Sequence, residues 1–526
     1  KLNSIVLCFL SLLFVSVLSI IAPFLIGQSI DILNESKNFD VFIYIIIVII
    51  FVYIIKYTVS IITNNVLIKI NFQFTSELRI KLMEKIVDLP MLYLSKKEKG
   101  YLLSRLDECT ELESIFSSDS LNSLCQVLTA ILALLMMFVL NCRLALMALL
   151  IVPLVYFISH KSHKRISANI TKSFEANGEL SADSYEILNG VEDFKNLGMK
   201  FNGFDSFYDS VNLLVRTKIM LNKALIKFEE HVDLICNLGA LLVLLISGFF
   251  IIKNEITIGL YTSFSLYLSI VIGGILSIGG IQITLQPAAK SMQRINEIFD
   301  EKSERQNGVK IIGKIHEMRF EKVSFQYGDC HFILQNFNMT FCKGDKVQIK
   351  GKNGSGKSTI AKLLLALYEP NCGTIYINGV DSLLISCEEI RSHIGIVSQN
   401  IFTFKGTVLE NILCGQHKKG KTEVLELIDR LELNDYFNRL PNHIDTDIYQ
   451  NLTGISGGQM QMIAIVRALL SGKEIIVMDE PFANLDTDIR QILGNLLLRW
   501  HYSDILIVIS HDELDPEIFN KTIELM

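Results

Sequence analysis

KVQIKGKNGSGKSTIAKLLLAL, from Lys346 to Leu367, changes conformational character twice. Lys346–Lys350 is a short β-type run, and Thr359–Leu367 has helical spacing. Between them, Gly351-Lys-Asn-Gly-Ser-Gly-Lys-Ser358 has the form G-x-x-x-x-G-K-[ST]. A strand leading through such a loop into a helix makes a cradle for phosphates. Glycines let backbone amides turn inward, and the helix N-terminus adds favourable potential. Gly351, Lys352, Asn353, Gly354, Ser355 and Gly356 form the expected cradle, and Thr359 follows it on the helix. Lys357 would meet the β- and γ-phosphates of a nucleotide, and the Ser358 hydroxyl would ligate Mg2+.

Downstream and upstream of this loop, β-type runs alternate with helical ones from about residue 314 to the end. They include Ile375–Ile377, Ile394–Val397, Ile475–Met478 and Ile505–Ile509. That alternation predicts an α/β domain with a largely parallel sheet over 314–526, after a polar linker over 301–313.

The first 300 residues are of another kind. Half of the 526 residues are hydrophobic while 20% are charged, which requires the apolar residues to be concentrated in one part. Six segments approach the ~20 residues needed to cross a bilayer core. They are Ser4–Ile26, Phe39–Ile62, Leu121–Leu140, Leu144–Ile158, Ile235–Ile252 and Gly259–Leu285. The chain opens at Lys1 without a Met, directly before the first of them, so an earlier natural start is expected. Connections 63–120 and 159–234 are rich in Lys and Arg, whereas the short connections hold only Lys37, Arg143 and Lys253. The positive-inside bias therefore assigns the long connections to the cytoplasm. Stretches such as Glu77–Asp88 keep helical periodicity there, so the membrane helices should continue into the cytosol.

A net charge of −6 gives no reason to invoke nucleic acid. The ten cysteines show no C-x-x-C pair and read as scattered thiols. Glu229 and Asp233 share a helical face before the fifth segment. They are either solvated acids or the lining of an inward mouth that attracts cationic cargo.

Further residues bear on the phosphate loop. Ile475–Met478 is a buried-type strand that would deliver Asp479 and Glu480 to the sheet's C-terminal edge, where ligands bind. Asp479 would hold Mg2+, directly or through water, and Glu480 would polarise an attacking water as general base. Ser456, Gly457, Gly458 and Gln459 open a helical run and form a second helix N-terminus able to hold an anion. His511 ends the strand Ile505–Ser510, a placement that is more often structural than catalytic.

In order and approximate spacing, Gly351–Ser358, Gln399, Ile455–Gln459, Asp479-Glu480, Asp486 and His511 resemble the ATP-binding cassette superfamily. The membrane half is similar to exporter-type fused half-transporters at Leu89–Leu106, Asn141–Pro153 and Ser291–Asp300. The resemblance implies a six-helix transmembrane domain (1–300) followed by a P-loop cassette. It implies that Tyr327 lies against adenine, that Gln399 reaches Mg2+, and that Asp486 belongs to a loop crossing a dimer. His511 would contact the γ-phosphate and orient water and Glu480. Coupling helices would fall near Pro90–Lys97 and Leu197–Phe207.

The sequence departs from that pattern in places. Ile455 stands for Leu, Met460 and Met462 for basic residues, and Gln450 for a cross-talk Glu, while Pro481-Phe482 replaces the commoner exporter form.

The expected protein is an ATP-hydrolysing transporter half using ATP and Mg2+. It would sit in a bacterial plasma membrane with its cassette in the cytoplasm. In the family one cassette's loop faces another's signature, so the chain should pair with a second half-transporter, a homodimer being the economical choice and a heterodimer the alternative. The cargo would be an amphipathic or apolar drug, lipid or peptide. A soluble ATPase acting on nucleic acid and a non-hydrolytic regulatory half are the competing classes. Six membrane segments count against the first, Glu480 and His511 against the second.

Overall fold

The computed structural model describes the chain except residues 1, 37, 98, 116, 150, 199–204, 312, 329–330, 353, 415, 417–418, 449–455, 484, 486, 512–513 and 526. The chain divides into two compact units. One is Lys1–Val87 with Lys97–Glu301, and the other is Asp88–Lys96 with Lys302–Met526.

The first unit is helical. Its long helices are α1 (Leu2–Asp31) and α2 (Phe39–Val87). The short α3 (Met91–Lys96) belongs to the other unit, and α4 (Lys99–Glu108) resumes the first. Then come α5 (Ser118–Leu140), α6 (Cys142–Leu149), α7 (Ile151–Asn189), α8 (Val191–Asn196), α9 (Asp205–Ile252) and α10 (Ile258–Asp300). At ~1.5 Å per residue, the 49 residues of α2 and 48 of α9 far exceed a bilayer core of ~30 Å, so both helices continue past it.

The helices pack on one another through residues such as Ala133, Met137, Leu144, Val232, Phe264 and Tyr267. Their other faces remain apolar and open: Val139 is 79% and Leu245 71% exposed. In water, apolar faces of this extent would be a severe liability; in lipid they are solvated. Asp31 ties the end of α1 to the start of α10, accepting from Gly259 N (2.7 Å) and Thr257 Oγ1 (2.7 Å).

Among the described residues, five helices are long and apolar enough to cross a membrane, where the sequence reading has six segments. The fourth, Leu144–Ile158, appears as a shorter apolar helix, Cys142–Val155. Arg143 precedes Leu144–Ile158 and Lys161, Lys164 and Arg165 follow it on α7, so it too runs between charged ends.

The cysteines offer a topology test. Cys142 is exposed, whereas Cys109 is 0% exposed and would be spared from either side of the membrane. Cys372 and Cys414, exposed on the α/β unit, are the proper cytoplasmic reporters. An impermeant maleimide added to intact cells should label Cys142 and spare Cys372 and Cys414 until the membrane is permeabilised. The reverse pattern would invert the topology.

The second unit holds two principal sheets. Its strands are β1 (Glu317–Phe325), β2 (Leu334–Cys342), β3 (Lys346–Gly351), β4 (Cys372–Ile377), β5 (Val380–Asp381) and β6 (Ile394–Val397). They continue with β7 (Gly406–Thr407), β8 (Asp447–Ile448), β9 (Ile475–Asp479), β10 (Ile505–Ile509) and β11 (Lys521–Leu525). A five-stranded parallel sheet has the order β11-β3-β10-β9-β6, and an antiparallel sheet the order β2-β1-β4-β5. Every residue of β9 and β10 is buried, as continuous apolar runs in a parallel sheet require.

Helices α11 (Lys357–Leu364), α12 (Cys387–His393), α13 (Val408–Leu413), α14 (Lys421–Arg430), α15 (Asn434–Phe437), α16 (Gly457–Leu470) and α17 (Thr487–Leu498) complete the unit. Met462 is buried in the core around α16, and Phe482 joins the same core. Both departures from the family pattern are thus packing residues here. The polar stretch 301–313, read from composition as a linker, is bonded to this unit. Arg391 grips Glu304 with both terminal nitrogens (2.7 and 3.0 Å), and Arg305 pairs with Glu369 (2.7 Å).

Candidate active site

The register of the parallel sheet assembles the site. Ile349 stands opposite Ile509, Ile509 opposite Asp479, and Val397 opposite Met478. The strands end level, so the loop after β3, Glu480, His511 and Gln399 all leave the same C-terminal edge.

Sequence forces the shape of the loop at Gly356. Its φ is 94°, and a Cβ there would lie 2.8 Å from Ile333 Cγ2, so a side chain is excluded twice over. Lys357, buried, donates from Nζ to the carbonyls of Gly351 (2.7 Å) and Lys352 (3.2 Å). A cation arched over its own loop and satisfied by neutral acceptors is ready for anionic oxygens. Among the described residues the buried Ser355 hydroxyl has no hydrogen-bond partner, a polar atom left available in a cradle suited to phosphate. Ser358 donates to Asp479 Oδ1 (3.3 Å). These two oxygen donors sit beside the loop, a hard-oxygen arrangement that fits Mg2+.

Asp479 is only 8% exposed, and burial raises its pKa, partly opposed by the Ser358 hydrogen bond. A carboxyl whose folded pKa is raised contributes stability below its unfolded pKa and loses it as pH rises through the folded one. The ionised group therefore destabilises the nucleotide-free protein at neutral pH. Asp479→Asn should raise the melting temperature without nucleotide. It should also remove most of the added stability from Mg2+ and ATP, which for the native protein is ~2.7 kcal/mol at 100 Kd. Thermal shift with and without Mg2+ reads both effects. An unchanged response to Mg2+-ATP would remove Asp479 from the metal site.

Glu480, 9% exposed, has φ 51°, which is uncommon for a residue with a Cβ and costs ~1–3 kcal/mol. The turn is held because Glu480 N donates to Ile509 O (2.8 Å) and Ala483 N to Glu480 O (3.1 Å). That strained turn aims the carboxylate at His511, whose Nδ1 lies 2.6 Å from Oε2. The pair joins residues 31 positions apart; strand periodicity leaves His511 as a strand-end histidine, whereas the resemblance to the cassette superfamily sets it beside Glu480.

Tyr327 is brought to α11, with its hydroxyl 3.3 Å from Thr359 Oγ1. Its ring packs edgewise on Phe325 and Tyr368, and Lys362 Nζ lies 5.3 Å from its centroid. Lys362 and Tyr368 carry no sequence signature, since only the fold places them around this ring. Gln399 is exposed two residues beyond β6.

Ser456 and Gln459 form a capping box at the start of α16, with Gln459 N donating to Ser456 Oγ (3.3 Å) and Ser456 N to Gln459 Oε1 (2.8 Å). Gly458 is needed for close packing, because a Cβ there would lie 2.6 Å from Ile489 Cδ1. Ser456 and Gly457 are exposed, so this helix terminus faces outward. No hydrogen bond among the described residues joins Ser456–Gln459 to the phosphate loop. Asn353, Gln450, Ile455 and Asp486 lie outside the described residues.

Of the expected coupling helices, the first, Pro90–Lys97, falls on α3 (Met91–Lys96). Leu89 before it is buried, Met91 packs on the core of the α/β unit, and Asp88 O accepts from Glu304 N (2.8 Å). The second falls largely on residues 199–204, outside the described residues.

A phosphate loop followed by acids at the edge of a parallel sheet defines a P-loop ATPase unit, here on the same chain as membrane helices. The profile of the ABC transporter transmembrane region matches residues 5–275, and that of the ABC transporter matches residues 334–483. The chain belongs to the ABC transporters, as a fused half-transporter of the exporter kind. The transport/processing ATP-binding protein ComA of Streptococcus pneumoniae is 26% identical, over 98% of this chain and 72% of its own. The ATP-dependent lipid A-core flippase of Syntrophus aciditrophicus is 26% identical, over 93% and 82% respectively. A bacterial Atm1-family ABC exporter with ATP bound shares the fold, with a TM-score of 0.84 at 20% identity covering 97% of this chain and 91% of that one. The protein is a multi-pass membrane ATPase, which removes the soluble nucleic-acid ATPase reading. Half-transporters of this kind act as dimers in the membrane.

Proposed function

We propose that two copies of this chain form an exporter whose paired composite sites couple ATP hydrolysis to outward movement of an amphipathic or apolar drug, lipid or peptide. The observation that carries the reading is the Glu480–His511 contact beside the Ser358–Asp479 pair. Gly351–Gly356 would wrap the phosphates with Lys357 on the β- and γ-oxygens, Thr359 beginning the helix behind them, and Tyr327 at the adenine. Ser358, Asp479 and Gln399 would hold Mg2+, which neutralises charge on the phosphates when bound. Glu480 takes the proton of the attacking water as general base, while His511 holds the carboxylate in position from its Nδ1 side.

The outward-facing terminus at Ser456 is the other half of a site, so the partner subunit's Ser456 would complete the nucleotide cradle, with Asp486 at the crossing loop. Intact motifs on one chain favour a homodimer over a heterodimer. The described Glu480 and His511 favour hydrolysis over a regulatory role. Closing the cassettes on nucleotide must shift the helix bundle between two states. Moving such an equilibrium from 1:99 to 99:1 takes ~5.5 kcal/mol of differential binding. The name of one relative, the lipid A-core flippase, supports amphipathic cargo.

Inverted membrane vesicles test the direction. They should accumulate members of a drug, lipid and peptide panel only with Mg2+ and ATP outside. ATP-driven depletion of preloaded cargo from the same vesicles would mark import and sink the export reading.

A further inference from the structure

Helices α7 and α9 enclose a cavity of about 650 Å³ whose charge is of one sign. Lys161 and Arg165 line it from α7, and Lys223, Lys227 and His231 line it from α9. On each helix these positions recur at intervals of four, so they form two facing stripes. The helices run in opposite senses, and Asn169 Nδ2 donates to Met220 O (3.5 Å) at the cavity's outer end. That contact sets the register: Arg165 falls level with Lys223 and Lys227, and Lys161 toward His231.

Among the described residues, four fixed cations line the cavity and no carboxylate does. Among the described residues, none of the four is in an ion pair. Asp233, on the neighbouring face, accepts instead from Asn237 Nδ2 (2.9 Å), and Glu229 and Glu230 are exposed. The described lining is thus cationic, and Glu229 and Asp233 are not part of it. Lys161 with Arg165, and Lys223 with Lys227, are i,i+4 like-charge pairs, each destabilising by a few tenths of a kcal/mol until an anion lies between them.

Depth and lining narrow the class of anion. The apolar run of α7 ends at Ile158, which lines the cavity, and that of α9 begins at Ile235. At ~1.5 Å per residue, Lys161 and His231 lie about 5–6 Å from those ends, which is the headgroup layer of a bilayer. Buried Phe228 and Ile166 give the cavity apolar walls, and the exposed apolar faces at Leu154 and Leu238 continue from it along the membrane helices. Charge, depth and an adjoining greasy track together suit one ligand, a phosphate carried on acyl chains.

We propose that this cavity binds the headgroup of an anionic phospholipid, its phosphate between the α7 and α9 cations and its chains along the helices toward the membrane. The site stands apart from the nucleotide machinery and from the identity of the cargo.

The test uses the full chain in nanodiscs of phosphatidylcholine with a minority of phosphatidylglycerol, released into native mass spectrometry. The native protein should retain phosphatidylglycerol in preference to phosphatidylcholine. Lys161→Gln, Arg165→Gln, Lys223→Gln and Lys227→Gln combined should weaken that preference at least roughly tenfold. A charge-keeping variant (Lys161→Arg, Arg165→Lys, Lys223→Arg, Lys227→Arg) should retain it, which separates lost charge from lost folding. Equal retention by the Gln variant, or loss in the charge-keeping one, would overturn the site. Displacement of the lipid by inorganic phosphate or glycerol phosphate at matched concentration would overturn its assignment to a lipid.

Discussion

Replacing Glu480 by Gln is expected to lower steady-state ATP turnover by about 10²–10⁴-fold, the range a positioned general base contributes. Nucleotide binding should survive. The amide keeps the shape of the carboxylate and can still hydrogen-bond to His511, whose Nδ1 lies 2.6 Å from Oε2 in the native protein. Lys357 and the loop amides, which would carry the phosphates, are untouched by the change. What the amide cannot do is take a proton from water. The variant should therefore accumulate with nucleotide bound and cassettes closed, detectable as retained ATP after rapid desalting. Substitution at a residue only 9% exposed could disturb folding, so a native-like melting temperature is the control. Near-native turnover in a folded Glu480→Gln protein would show that another group activates the water.

Mixed dimers carry the second large effect. Lys357→Ala removes the cation satisfied by the carbonyls of Gly351 and Lys352, and Ser456→Arg places bulk at the outward-facing start of α16. Loss of the Ser456 cap should cost ~1 kcal/mol, small enough to leave a folded chain. Each variant alone should be inactive, because in a symmetric dimer both sites carry the defect. In a mixed dimer one site receives both defects and the other neither. With random pairing of equal amounts, and sites that turn over independently, roughly a quarter of native turnover should return. Turnover in either pure variant, or none in the mixture despite exchange of chains, would count against sites shared between subunits.

Much of this site is legible in the residues because its chemistry is local. Gly351 to Ser358 needs small residues, a lysine and a hydroxyl at fixed offsets along one strand–turn–helix, and those offsets survive in the linear order. The same holds for Asp479 and Glu480, since an apolar run of strand length must end at a sheet edge. It also holds for Ser456 with Gln459, whose capping box spans four residues. The long apolar segments follow from the thickness of a bilayer, a length and not a contact.

Tertiary structure alone decided what depends on partners distant in the chain. His511 meets Glu480 because β9 and β10 lie side by side in register, a contact the family resemblance implies but composition and periodicity cannot state. Lys362 reaches the Tyr327 ring and Tyr368 packs against its edge because α11 and the antiparallel sheet share one core. Cys109 fails as a reporter because packing buries it, although its connection is polar and charged. At the membrane boundary the acids before the fifth segment stand out in the sequence, yet the described lining between α7 and α9 is cationic. Helical periodicity tells which residues share a face of one helix. Which face meets which neighbour, and therefore which charges converge, is settled only when the helices pack.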